Sequence, residues 1–117
     1  MSTSRQRDGA AAEDLAAAYL ARNGLAILAR NYRCRGGEID LVAREGATLV
    51  FVEVRYRRSL AFGGAGGSVD ARKQARILLA ARRYLAGQGD VACRCDVVAL
   101  DALDPARIEW IRDAFGE

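Results

Sequence analysis

At 117 residues, with 51% hydrophobic residues and a mean hydropathy of −0.06, the chain can build one core and is too apolar for a disordered segment. Its formal charge of +3 leans toward polyanionic partners, and the absence of histidine excludes His-based acid–base catalysis and His-ligated metals. No apolar run approaches the ~20 residues of a membrane span, and no apolar signal core follows Met1 to Asp8, so the expected location is the cytoplasm with no membrane partner.

Residues 1–8 read as a flexible lead into one domain that takes in the whole of residues 1–117. Gly9 to Asn23, rich in alanine, reads as a helix stopped by Gly24. Glu13 shares the stripe of Ala16, Ala17 and Leu20 and is expected to point toward the body of the protein. Leu25 to Arg35 reads as a strand, and Gly36-Gly37 as a turn. Two more strands follow, Gly37-Glu38-Ile39-Asp40-Leu41-Val42 and Leu49-Val50-Phe51-Val52-Glu53-Val54-Arg55, joined as a hairpin. Leu60 to Gly67 reads as a glycine-rich loop without the Gly-Lys-Ser/Thr of a phosphate-binding Walker motif. Ser68 is the expected N-cap of a second helix, Val69 to about Ala86, with Ile77, Leu78, Ala81 and Leu85 as its apolar stripe. Val91 to Leu100 and Ile108 to Ile111 complete the order αβββαββ.

The hairpin carries the most informative spacing. With Gly46-Ala47 as the turn, Glu45 faces Thr48 and Asp40 falls opposite Glu53. A different turn shifts the pairing by one or two residues, so spacing alone leaves the register open. Like charges opposite each other destabilise a sheet. Two carboxylates held there imply a cation between them, or one of the two protonated. A hard divalent metal with oxygen ligands suits such a pair. Glu38, two residues before Asp40, could join the site. Arg55 shares the Glu53 face by the two-residue period of a strand. The competing reading is a solvated hairpin face with a surface arginine, against which stand the strongly apolar flanks of both carboxylates.

Arginine dominates the basic residues, and Lys73 is the only lysine. Arg30, Arg33 and Arg35 alternate along one segment, and Arg55, Arg57 and Arg58 crowd another. Arg30, Arg33, Arg35, Arg57 and Arg58 are the candidate nucleic-acid contacts, and the competing source of the arginine abundance is a GC-rich genome. Cys34, Cys93 and Cys95 lack a zinc spacing and read as small buried apolar residues. Tyr32, Tyr56 and Tyr84 read as packing residues.

The ordered set Ala12-Glu13, Tyr19-Leu20, Gly24, Arg30-Asn31-Tyr32-Arg33, Gly37-Glu38-Ile39-Asp40-Leu41, Phe51-Val52-Glu53-Val54-Arg55-Tyr56-Arg57, Lys73-Gln74, Tyr84-Leu85 and Arg94-Cys95-Asp96-Val97-Val98 resembles the YraN-like bacterial proteins. That family in turn is similar to the PD-(D/E)xK nucleases and, within them, to archaeal Holliday junction resolvases. The resemblance implies an α/β, restriction-endonuclease-like fold with a mixed central sheet flanked by helices. It implies metal ligation by Glu13, Asp40 and Glu53, catalytic roles for Asp40, Glu53 and the residue at Arg55, and Mg²⁺ (or Mn²⁺) as cofactor. The implied reaction is hydrolysis of a DNA phosphodiester, on branched DNA if the resolvase likeness holds, where cutting two strands would call for a homodimer. The chain departs from that pattern at Arg55, where the superfamily has lysine. Lys73 is the candidate to replace it from the second helix. Otherwise the chain is a non-catalytic nucleic-acid-binding module of nuclease fold, or an interaction protein with a vestigial acidic cluster.

Overall fold

The computed structural model describes residues 4–57 and 69–116. Arg58, the glycine-rich loop and Ser68 lie outside the described residues. The elements are α1 (Ser4–Arg22), β1 (Ala26–Cys34), β2 (Gly37–Glu45), β3 (Thr48–Tyr56), α2 (Ala71–Leu85), β4 (Cys93–Leu100), a 3₁₀ turn (Pro105–Arg107) and β5 (Ile108–Phe115). The five strands form one sheet in the order β1-β2-β3-β4-β5. All neighbours are antiparallel except β3 and β4, which are parallel and joined across the sheet by α2. This is the restriction-endonuclease-like α/β arrangement expected from the sequence.

The helix pattern of α1 explains its placement. Ala12, Ala16 and Leu20 recur every four residues and are fully buried against Leu41, Ala43, Val50, Val52, Val98 and Leu100 of the sheet. Gly24, at φ 94°, closes the helix: Gly24 N–H donates to Ala21 O and Leu25 N–H to Leu20 O, the paired bonds of a Schellman cap. The helix begins at Ser4, so residues 4–8, expected as a flexible lead, belong to it.

The opposite face packs on α2. Ile77, Ala80 and Ala81 cover Ile39, Val42, Phe51, Val97 and Ala99, and Tyr84 meets Tyr32 and Phe51 edge-on. The helix is capped by Asp70, whose carboxylate accepts from the Lys73 N–H at 2.8 Å. The cap therefore sits two residues later than the Ser68 expected from sequence, and it fixes the turn that carries Lys73. Of the cysteines, only Cys95 is buried; Cys93 is exposed, against expectation, and Cys34 is intermediate.

How closely α2 approaches the sheet is set by Gly37. A Cβ built there would lie 2.4 Å from the carbonyl oxygen of Arg76 and 3.1 Å from the amide nitrogen of Ala80. Backbone cannot yield as a flexible side chain does, so the helix would have to lift off β2. Gly37→Ala is expected to destabilise the protein by roughly 1–3 kcal/mol, read as a lower urea midpoint. An unchanged midpoint would mean that the helix is not seated this tightly.

Candidate active site at the parting of two strands

The hairpin register is the one that places Asp40 and Glu53 at matching positions. Glu45 pairs with Thr48 around Gly46-Ala47, and the ladder runs to Leu41–Val52, one pair short of Asp40 and Glu53. There the strands part. The N–H of Val54 donates at 2.9 Å to Oδ2 of Asp40, a side chain taking the place of a strand partner.

A distortion in β1 and β2 coincides with this point. Ala29 and Tyr32 both pack on the α2 side although three residues apart, and so do Ile39 and Val42 on β2. Strict alternation would put each pair on opposite faces. On β1 the mismatch falls at Asn31, which has φ 52°, a conformation asparagine tolerates better than most residues. Asn31 lies opposite Asp40, between the pairs Arg30–Leu41 and Tyr32–Ile39. The alternation thus breaks on both strands at the level of the acidic pair.

Glu53 is 4% exposed, among the most buried charged side chains described. Its carboxyl is pushed up to about 8, first by burial and then by the hydrogen-bonded, like-charged Asp40, with Lys73 pulling the other way. Lys73 Nζ lies 2.9 Å from Glu53 Oε2. The contact is close but poorly aligned, and it leaves that buried oxygen without a proper hydrogen bond. The lysine reaches Glu53 because α2 crosses the same face from which Glu53 projects.

Glu13 comes to the other side of Asp40. Its carboxyl is raised by partial burial and by the Asp40 charge, and it accepts from Asn31 Nδ2 at 3.2 Å. Arg30 stands 3.8 Å from it and 2.7 Å from Asp14. Among the described residues, no three Asp, Glu, Cys or His side chains converge as a ready-made metal cage. What is assembled is the Asp40–Glu53 pair, with Glu13 near enough for its charge to be felt. Glu38 lies 3.6 Å from Arg33 and shares the lining of a pocket with Lys73 and Arg76.

The basic candidates fall into two groups. Arg30 and Arg33 are engaged in ion pairs on β1, and Arg35 is exposed at its end. Arg55 and Arg57 continue the Glu53 face of β3 and, with Lys73, line a cavity of ≈ 230 Å³ beside the acidic pair. Sequence reading missed Asn31, which holds Glu13 and absorbs the strand distortion, and Asp70, which caps α2. A positive-φ asparagine inside a strand leaves no local signature. Asp70 had one, a capping residue just before a helical pattern, and lost it to the equally plausible Ser68.

The Glu53 shift carries a stability consequence for the metal-free protein. Below about pH 4.5 the carboxyl is protonated in both folded and unfolded chains and contributes nothing. Between there and about 8 the folded state keeps a proton that the unfolded chain releases, so stability falls as pH rises through this window. The loss should be on the order of 2 kcal/mol or more, and Glu53→Gln should abolish it. Urea midpoints at the two ends of the window, with chelator present, decide the matter. Equal pH slopes for wild type and Glu53→Gln would show that Glu53 is ionised throughout.

The class of protein follows from these features: a restriction-endonuclease-like α/β domain whose acidic residues gather where β2 and β3 separate. The chain belongs to the uncharacterised protein family UPF0102, whose model matches residues 12–100. It is 52% identical over 104 residues to a UPF0102 protein of Methylobacillus flagellatus, covering 89% of this chain and 92% of the relative. A UPF0102 protein of Cupriavidus taiwanensis is 57% identical over 114 residues, covering 96% and 85% of the two chains. A third, from Nitrosomonas europaea, is 54% identical over 110 residues, covering 93% of each. Among the described residues no helix is long and apolar enough to cross a membrane.

Proposed function

We propose that the protein is a metal-dependent nuclease that hydrolyses DNA phosphodiester bonds, with branched DNA as the substrate that the resolvase likeness implies. One observation carries the reading: a carboxylate pair held at the gap between two strands, Asp40 half-buried and Glu53 buried, with one oxygen, Glu53 Oε2, lacking a well-aligned partner. Such a pair is costly unless a cation or a proton joins it. Its donors are all carboxylate oxygens, which suit Mg²⁺ or Mn²⁺ rather than a softer metal. Asp40 and Glu53 would hold the ion, with Glu13 joining from α1. Bound there, the ion would supply Lewis-acid polarisation of a phosphate oxygen and acidification of water.

The remaining work belongs to the chain's own side chains. Arg55 supplies positive charge for nucleic-acid phosphate beside the pair, and a guanidinium is a poor proton acceptor. Lys73 offsets the Glu53 charge from α2 and supplies the ammonium that the strand position lacks. Cleavage of branched and single-stranded DNA with Mn²⁺ tests these roles. We expect weak wild-type activity, raised by Arg55→Lys and lowered by Lys73→Ala, each by less than the roughly 10²–10⁴-fold typical of a positioned acid or base.

Two observations favour a second reading, a nucleic-acid-binding module of nuclease fold without catalysis. Arginine stands at position 55, and no three-ligand metal cage exists among the described residues. Metal titration separates the readings. Mn²⁺ binding that disappears in Asp40→Ala supports the nuclease. Salt-sensitive DNA binding with no metal binding, and no cleavage by any variant, supports the module.

A further inference from the structure

Beyond the acidic pair, β3 runs through Val54-Arg55-Tyr56 and Arg57 follows it, its N–H donating to Leu100 O at 3.0 Å, so period two keeps Arg55 and Arg57 on the Glu53 face. These two arginines lie about 7 and 13 Å further along the strand than Glu53. With Lys73 from α2 they line the ≈ 230 Å³ cavity, and no carboxylate lines it among the described residues. Lys73 is committed to Glu53, whereas neither Arg55 nor Arg57 has an ion-pair partner among the described residues. Arg55 Nε is buried and makes no hydrogen bond. A buried guanidinium N–H left unmatched is expensive, so its position suits an anionic acceptor.

The cavity's charge and size narrow the anion. Two uncommitted guanidiniums face a space suited to one phosphate group and part of its sugar, too small for a duplex. A backbone diester carries one negative charge. A phosphate monoester carries about −1.5 to −2 near pH 7 and offers three terminal oxygens to the two arginine forks. We propose that the Arg55–Arg57–Lys73 cavity binds the terminal phosphate of a DNA strand, setting a strand end beside the Asp40–Glu53 pair. This deepens the proposed function, since it rests on the same site taking nucleic acid, and it adds that the site distinguishes strand ends.

The test is binding without cleavage. Fluorescence anisotropy is measured for the full chain, in chelator and at fixed salt, with short single-stranded DNA oligonucleotides bearing a 5′-phosphate, a 3′-phosphate or neither. A terminal phosphate at one end should tighten binding on the order of tenfold. Arg57→Gln, at an exposed position that should not disturb folding, should erase that difference, and Arg57→Lys should restore part of it. Equal affinity for phosphorylated and unphosphorylated strands overturns the proposal. So does an undiminished preference in an Arg55→Gln, Arg57→Gln double variant that melts like wild type, because the phosphate would then be held elsewhere. A nucleoside monophosphate binding as tightly as the phosphorylated strand would make the cavity a free-nucleotide site and likewise overturn it. Because no metal is present, failure of cleavage under Mn²⁺ would sink the nuclease reading while leaving an end-phosphate preference standing, and the reverse pattern would sink only the cavity's role.

Discussion

Glu53→Ala is expected to lower Mn²⁺-dependent DNA cleavage by roughly a hundredfold or more, the scale typical of removing one preorganised electrostatic group from an active site. Glu53 is the buried member of the pair, held by β3 at the point where β2 turns aside, and no other acidic side chain described lies ready to replace it. Asp40→Ala should do the same and should also free the Val54 N–H that its carboxylate now accepts. Chelation should stop wild-type cleavage outright. Activity and stability should move in opposite directions. Glu53→Gln keeps the shape of the side chain and removes the like charge, so near pH 8 the metal-free variant should unfold at higher urea than wild type while cutting far less. If Glu53→Ala cleaves as well as wild type, the pair is not the reacting site.

Asp96→Ala should be the most destabilising of the substitutions considered, at about 3–5 kcal/mol. Asp96 is wholly buried on β4, opposite Val52 of β3. Its carboxylate accepts from Arg94 Nε at 3.0 and 3.2 Å, from Trp110 Nε1 at 2.9 Å and from the Asp113 N–H at 2.8 Å. Arg94 also reaches Glu45, on which Arg112 converges from β5. Removing the carboxylate strips three donors at once and leaves a mostly buried guanidinium with half its compensation. It also loosens the bulge at Asp113, φ 50°, where β4 and β5 lose register. Arg112→Ala is the contrast. Loss of its half-exposed ion pair should cost little, with some loss of packing from the guanidinium stacked 3.8 Å over the Trp110 ring. Urea denaturation of the two variants should separate them clearly. Equal midpoints would mean that the Asp96 network is as dispensable as a surface pair.

Both helices, the hairpin and its turn were legible in the sequence because their causes are local. Alanine and leucine every three to four residues make a buried helical stripe whatever it packs on. Gly24 permits the backbone of a helix end, and Gly46-Ala47 sets a two-residue turn that aligns Asp40 with Glu53. The alignment of Asp40 with Glu53 was one of several registers the spacing allowed until the strands were paired, while the order αβββαββ, and Asp40 and Glu53 as candidates, were readable from such short-range rules. So were the limits on chemistry, since a chain with no histidine and one lysine offers few groups to carry it.

Other features of the site depend on distances that no sequence window spans. Lys73 meets Glu53 across twenty residues of chain because α2 crosses back over the sheet and is let down onto it by the missing side chain of Gly37. Arg33 and Glu38 meet because β1 and β2 bring them opposite. Asn31 and Asp40 disturb their strands at one level, and only pairing between the strands makes the two irregularities coincide. Residue types and local periodicity determine which groups are available and which face of an element they share. Register, crossover and the depth of helix packing determine which of them meet, because each is settled by the burial of side chains far apart in the chain.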